Sequence, residues 1–211
     1  MISHPEEIAS LDFDKSDGLL PVVVQHADRG GVLMLGYMNR DALAATLERR
    51  RVVFFSRSRQ RLWEKGETSG HTLELVAVHT DCDRDALLVL ARPMGPVCHT
   101  GTATCFGDEP RSRAETVGFF AQLEQIIEQR IGAGGESSYT ARLFAEGTTR
   151  LAQKVGEEGV ETALAAVSAD AKALLGESAD LVFHLAVLLR ARGLSLTDVA
   201  AELEARHHRR R

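Results

Sequence analysis

The stretch HTDCDRDALLVLARPMGPVCHTGTATCF, from His79 to Phe106, holds all three cysteines of the chain, Cys82, Cys98 and Cys105. It also holds three aspartates at alternate positions, Asp81, Asp83 and Asp85. Thiolate is a preferred zinc ligand, and three protein ligands leave one position for water, the pattern of a catalytic rather than a closed structural site. Six residues separate Cys98 from Cys105, and Gly101 among them lets the loop fold back on itself. The competing reading makes Cys82 a core cysteine and the other two a reducible pair. The aspartates point elsewhere. In an extended segment they share one side, where like charges repel unless a cation neutralises them, and hard carboxylate oxygens suit magnesium. Cys82 then faces the opposite way, so that one strand serves two metals. A solvated acidic loop is the plainer alternative.

A second segment, SRSRQRLWEKGETSGHT (residues 56–72), is basic and then rich in glycine and hydroxyl groups. Arg57, Lys65, Thr68 and Ser69 are its candidates for holding a phosphorylated substrate. A polar hairpin has the same composition. His99, next to Cys98, is the candidate proton carrier.

The third feature lies in the second half. Glu157, Glu158 and Glu161 fall at i, i+1 and i+4, and Glu177 and Asp180 at i and i+3, with fifteen residues between Glu161 and Glu177. That interval suffices for one helix to end and the next to return antiparallel, so five carboxylates converge between two helices. With Mg²⁺ such a cluster handles polyphosphate and positions water; without it, the acids line a solvated face. Asp180 precedes the most apolar run, Leu181–Leu189, which places it beside the core, where an acid needs a partner. Lys154 is the candidate for stabilising phosphate charge. His184 reads as a hydrogen-bonded core histidine rather than a ligand.

These groups need two kinds of scaffold. Residues 19–27, 31–38, 52–58, 71–80 and 86–92 are strand-like, with a hairpin turn at ADRGG and one helix capped by Asn39. GDEPRSRAE (residues 107–115) reads as a linker. Helical spacing then predicts helices near 116–131, 138–147, 149–168, 171–192 and 196–206. The expectation is an N-terminal α+β, β-rich domain over 1–110 and an all-α domain over 111–211. Hydrophobic residues make up 44% and charged residues 26%, an ordinary globular balance, and the net charge of −5 argues against nucleic acid. The basic run Arg206–Arg211 reads as a solvated tail. No apolar run approaches the ~20 residues that span a bilayer. MISHPEEIAS lacks the regions of an export signal, so the expected setting is cytoplasmic, with reduced thiols.

Together, WEKGETSGH, DCDRDALL and GPVCHTGTATCF resemble phosphoribosyl-AMP cyclohydrolase of histidine biosynthesis, over roughly residues 10–107. The resemblance implies zinc at Cys82, Cys98 and Cys105, magnesium at Asp81, Asp83 and Asp85, and a homodimer with active sites at the subunit interface. Over about 117–206, SSYTARLFAEGTTRLAQKVGEEGVETALAA and ESADLVFHLAVLL resemble phosphoribosyl-ATP pyrophosphatase. That implies Mg²⁺ held by Glu157, Glu158, Glu161, Glu177 and Asp180. The fused pair implies two consecutive steps on small phosphoribosyl nucleotides. A general nucleotide-cleaning pyrophosphatase with a structural zinc domain, and a non-catalytic nucleotide sensor, remain as other readings.

Overall fold

The computed structural model describes residues 1–107, 112–133, 138–167 and 170–209. The chain divides into two compact units, Met1–Gly118 and Phe119–Arg211.

In the first unit, β1 (Leu20–His26) and β2 (Val32–Met38) form the expected hairpin. Helix α1 (Arg40–Arg49) follows, its N-terminus capped by Asn39, whose side chain accepts from the Ala42 amide at 2.8 Å. Its buried face carries Leu43 and Leu47. Strands β3 (Val53–Ser56) and β4 (Arg61–Glu64) pair with each other. Strands β5 (Leu73–Thr80) and β6 (Leu87–Pro93) complete a four-stranded sheet in the order β2-β1-β6-β5, with β1 and β6 parallel. Alternation is clean: Val22, Val24, Leu87 and Val89 face the core. The other face carries the cross-strand row Leu35, Val23, Leu88 and His79, in which Leu35 and Leu88 are exposed. Close approach requires Gly36, where a Cβ would lie 2.5 Å from the Phe54 ring.

Strand β4 was not expected. RLWE is too charged to show an apolar alternation, and its pairing with β3 is what orders it. Part of the expected linker is also structured. Helix α2 (Arg113–Val117) is capped by Ser112, and Gly118 brings its backbone against Arg29, where a Cβ would meet the Arg29 Cα at 2.7 Å. The first unit therefore runs past the expected boundary; residues 108–111, which include that boundary, lie outside the described set.

The second unit is helical: α3 (Phe119–Ala133), α4 (Tyr139–Ala145), α5 (Thr148–Val167), α6 (Ala171–Ala191) and α7 (Leu196–His208). The single helix expected over 116–131 is instead α2 and α3, separated at Gly118. Ile127, Leu143, Leu151, Ala186 and Val187 form the core. On α5 the buried residues are Leu151, Glu158 and Ala165, seven apart, so a carboxylate occupies the helix's inward stripe. The start of the expected basic tail is the exposed last turn of α7, with Arg206 on Glu202 at 2.7 Å; residues 210–211 lie outside the described set.

Candidate active sites

The aspartates do not sit on a strand. Strand β5 ends at Thr80, and Asp81–Asp85 make a turn in which Arg84 takes the left-handed conformation (φ 65°). Convergence comes from that turn rather than from strand alternation, and the expected division of one strand into a thiol face and a carboxylate face does not hold. Asp81 Oδ1 accepts from the Asp85 and Ala86 amides, both at 3.1 Å. Asp81, Asp83 and Asp85 nonetheless each bring a carboxylate oxygen within 4.8 Å of the others. Lys15, from a distant turn, places its ammonium 2.6 Å from Asp83 and 3.0 Å from Asp85. Its hydrogen bonds hold the Asp83 carboxyl below the usual range.

Two of the three thiols share one loop and one cleft. The Cys105 amide donates to Leu33 O at 2.8 Å, pinning the loop to β2, and Gly101 turns it with φ 90°. Cys98 and Cys105 line the same cleft. Thr100 Oγ1 donates to Cys98 Sγ at 3.1 Å, and this bond is the main reason the Cys98 thiol is held down at about 6. Enclosure of its sulfur, and then the Cys98 charge, push Cys105 up. His99 is exposed, with Nδ1 3.8 Å from Cys98 Sγ. Cys82 is elsewhere. It precedes β6 while Cys98 follows it, seven strand residues at ~3.3 Å each set about 20 Å between the ends of that strand, and no cluster of three potential ligands among the described residues includes a cysteine. One chain therefore does not gather the three sulfurs.

Cys98, His99 and Cys105 open onto a cleft of about 570 Å³, whose wall includes Arg59, Lys65, Thr68, Ser69 and His71. That size suits a nucleotide-scale ligand. Lys65 is 7% exposed, its ammonium 3.4 Å from the His71 carbonyl. Burial pulls its pKa down while the charges of Cys105 and Cys98 oppose the shift. The wall needs Gly66, which turns the chain with φ 91° where a Cβ would strike the His71 backbone at 2.5 Å. Arg57 is not part of that wall; its guanidinium lies 3.9 Å from the centroid of the Tyr37 ring. Arg59 and His71 take the places that the sequence reading gave to Arg57.

In the second unit, Glu158, Glu161 and Glu177 bring carboxylate oxygens within 4.8 Å of one another. Glu158 is 5% exposed. Lys154 lies 2.9 Å from Glu158 Oε1 and 3.0 Å from Glu157 Oε2. Its hydrogen bond is the first cause holding Glu158 low, whereas the Glu158 charge pushes Glu161 up. Lys154, the candidate for stabilising phosphate charge, is thus placed at the carboxylate cluster. Glu157 stands outside the trio, held also by Gln153 at 2.8 Å and Arg150 at 3.5 Å. Asp180 is exposed rather than set against the core, because α6 turns it outward, and it too is outside the trio. Its backbone does reach the site: the Asp180 carbonyl lies 2.9 Å from His184 Nδ1. His184 is buried and hydrogen-bonded, as expected, and Tyr139 OH lies 3.0 Å from its Nε2.

The division into a strand-rich unit and a helical unit coincides with two separate family models. The family model for phosphoribosyl-AMP cyclohydrolase matches residues 34–107, and that for phosphoribosyl-ATP pyrophosphohydrolase matches residues 120–207. The chain is of the class of two-domain hydrolases. It is 58% identical over 197 residues to the histidine biosynthesis bifunctional protein HisIE of Escherichia coli strain K12, covering 93% of this chain and 95% of that one. The proteins of the same name from Xanthomonas axonopodis pv. citri and Photobacterium profundum are 57% and 53% identical, covering 98% and 96% of this chain and 97% and 99% of theirs. The chain belongs to this family of bifunctional histidine-biosynthesis hydrolases. No helix among the described residues is long and apolar enough to cross a membrane.

Proposed function

We propose that the helical unit cleaves phosphoribosyl-ATP between its α and β phosphates with Mg²⁺, and that the strand-rich unit then opens the adenine ring of phosphoribosyl-AMP at N1–C6 with Zn²⁺. The observation that carries this reading is the segregation of donors: every thiol lies in the first unit and the glutamate trio in the second. Soft sulfur and hard oxygen select different metals.

The donor sets fit. Glu158, Glu161 and Glu177 hold like charges together closely enough to raise Glu161, which suits a divalent cation, with Glu157 and Asp180 beside them on the same two helices. Bound Mg²⁺ would neutralise phosphate charge and orient an attacking water. The aspartate turn already holds a cation, the Lys15 ammonium. A divalent ion there would displace it, so Lys15→Met is expected to tighten Mn²⁺ binding to that turn roughly three- to fivefold, the scale of an exposed ion pair. Titration of a full-length chain carrying Glu158→Gln, which removes the competing site, checks this; unchanged or weaker affinity counts against it.

For zinc, Cys98 and Cys105 supply two sulfurs, and the third comes from Cys82 of the partner subunit in a homodimer. Zinc there would supply Lewis acidity and an activated water near neutral pH. The exposed apolar face with Leu35 and Leu88, and the exposed α5 stripe Val160, Leu164 and Val167, give such a dimer surfaces to bury. In the cleft, Arg59, Lys65, Thr68 and Ser69 hold the phosphate. His99 takes a proton from water as its oxygen joins C6 and returns one to N1 as the ring opens. The expected location is the cytoplasm, where reduced thiols persist.

Incubating the pure protein with phosphoribosyl-ATP, and following pyrophosphate and ring opening separately, tests the reading. A thiol-directed zinc chelator is expected to abolish ring opening and leave pyrophosphate release largely intact. Equal loss of both would count against independent sites. Cleavage of ordinary nucleoside triphosphates with phosphoribosyl-ATP spared would favour the nucleotide-cleaning alternative.

A further inference from the structure

His184 makes more contacts than a core histidine needs. Its Nδ1 lies 2.9 Å from the Asp180 carbonyl. A carbonyl only accepts, so Nδ1 carries the hydrogen. The same nitrogen is 3.5 Å from Glu158 Oε1. In the neutral ring Nε2 is then the acceptor, and Tyr139 O–H, 3.0 Å away, donates to it. Tyr139 is half-exposed, stacked on Phe183 and edge-on to His184. Three residues from three helices thus lie in succession: a hydroxyl near solvent hydrogen-bonded to a buried imidazole, whose Nδ1–H goes to the Asp180 carbonyl and whose edge packs 3.5 Å from the most buried carboxylate of the cluster.

We propose that Tyr139 and His184 are positioning residues for pyrophosphate release: they fix the Glu158 carboxylate so that it stays directed at Glu161 and Glu177. The inference rests on the functional reading above. Glu158 already has Lys154 on Oε1, 2.9 Å away. A single flexible ammonium does not set the plane of a carboxylate. The imidazole, locked by its backbone bond on one side and by Tyr139 on the other, is the rigid partner. Such outer partners typically change metal affinity or activity about 10- to 100-fold when removed.

The test uses the full-length chain with His184→Leu, His184→Asn and Tyr139→Phe, each also carrying Asp83→Asn, as does the reference chain, so that Mn²⁺ reports on the glutamate trio. Leu keeps bulk and removes both nitrogens, whereas Asn keeps an N–H near the Nδ1 position. His184→Leu is expected to weaken Mn²⁺ binding and lower kcat for phosphoribosyl-ATP by about 10-fold or more, with KM nearly unchanged. His184→Asn is expected to recover most of both. Tyr139→Phe is expected to cost less and to move the Nε2 resonance of His184 in ¹⁵N spectra of the ring, which in the wild type shows the Nδ1–H tautomer. Unchanged Mn²⁺ affinity in His184→Leu, or Asn performing as poorly as Leu, would overturn the proposal in favour of simple packing. If His184→Leu does not fold, His184→Asn and Tyr139→Phe decide: an unmoved ring resonance in Tyr139→Phe defeats the relay. A wild-type chain that leaves phosphoribosyl-ATP intact defeats the functional reading instead, and the Mn²⁺ affinities and ring spectra still decide the relay.

Discussion

Glu158→Gln is expected to lower pyrophosphate release from phosphoribosyl-ATP by ~100-fold or more, the scale of losing one positioned charged group, while supplied phosphoribosyl-AMP is still opened. Glu158 is the buried member of the trio and sits on the inward stripe of α5. It alone contacts both Lys154 and His184. The amide has nearly the same shape, so packing is kept while the negative charge is lost. With its oxygen kept toward Lys154 and His184, which both approach Oε1, the amide turns an NH₂ group that cannot ligate a cation toward the rest of the trio. Glu157→Gln is the control within the same turn of helix. Glu157 is outside the trio and tied to Arg150, Gln153 and Lys154, so its loss is expected to be about tenfold smaller. Steady-state rates of pyrophosphate release and of ring opening, measured on the same preparations, check both statements. Near-normal release in Glu158→Gln would remove the glutamate trio from the reaction, and equal large losses would add Glu157 to it.

What could be read along the chain was local. The Asn39 cap, the ADRGG hairpin and the fifteen-residue return from Glu161 to Glu177 each depend on neighbours within one or two elements, and each is found. Contacts made across the fold were not readable. Lys15 reaches Asp83 from 68 residues away, and no spacing rule links them. Arg57 leaves the cleft because Tyr37, on another strand, offers an aromatic face. Asp180 was misjudged because an apolar run beginning one residue later says nothing about which side of a helix the preceding residue takes. Its exposed side chain and site-directed carbonyl are properties of the helix's rotation. One non-local fact is legible: a strand is expected between Cys82 and Cys98, and its length sets the turns that carry them at opposite ends.

That separation sets up the second large effect. Chains carrying Cys82→Ala and chains carrying Cys98→Ala are each expected to lack ring opening. Unfolded and refolded together, they are expected to regain about a quarter of the wild-type sites, on the two-fold symmetry typical of such dimers. In a mixed dimer, the Cys82→Ala chain keeps Cys98 and Cys105, which line one cleft of that chain, and its partner supplies Cys82. One of the two sites is then whole. The opposite site lacks both mutated thiols. Random pairing makes half of the dimers mixed, and half of their sites intact. Pyrophosphate release serves as the internal standard, since neither substitution touches the helical unit, and normalising to it removes losses in refolding. Activity that stays at background after mixing, with pyrophosphate release recovered, would mean that no partner chain supplies the third sulfur. All three thiols would then have to come from one chain, and the turn bearing Cys82 would have to close the roughly 20 Å between the ends of β6. That movement would break the β5–β6 pairing at Thr80 and Leu87, so protection of those amides from exchange when zinc is added distinguishes the two arrangements without any assay of turnover.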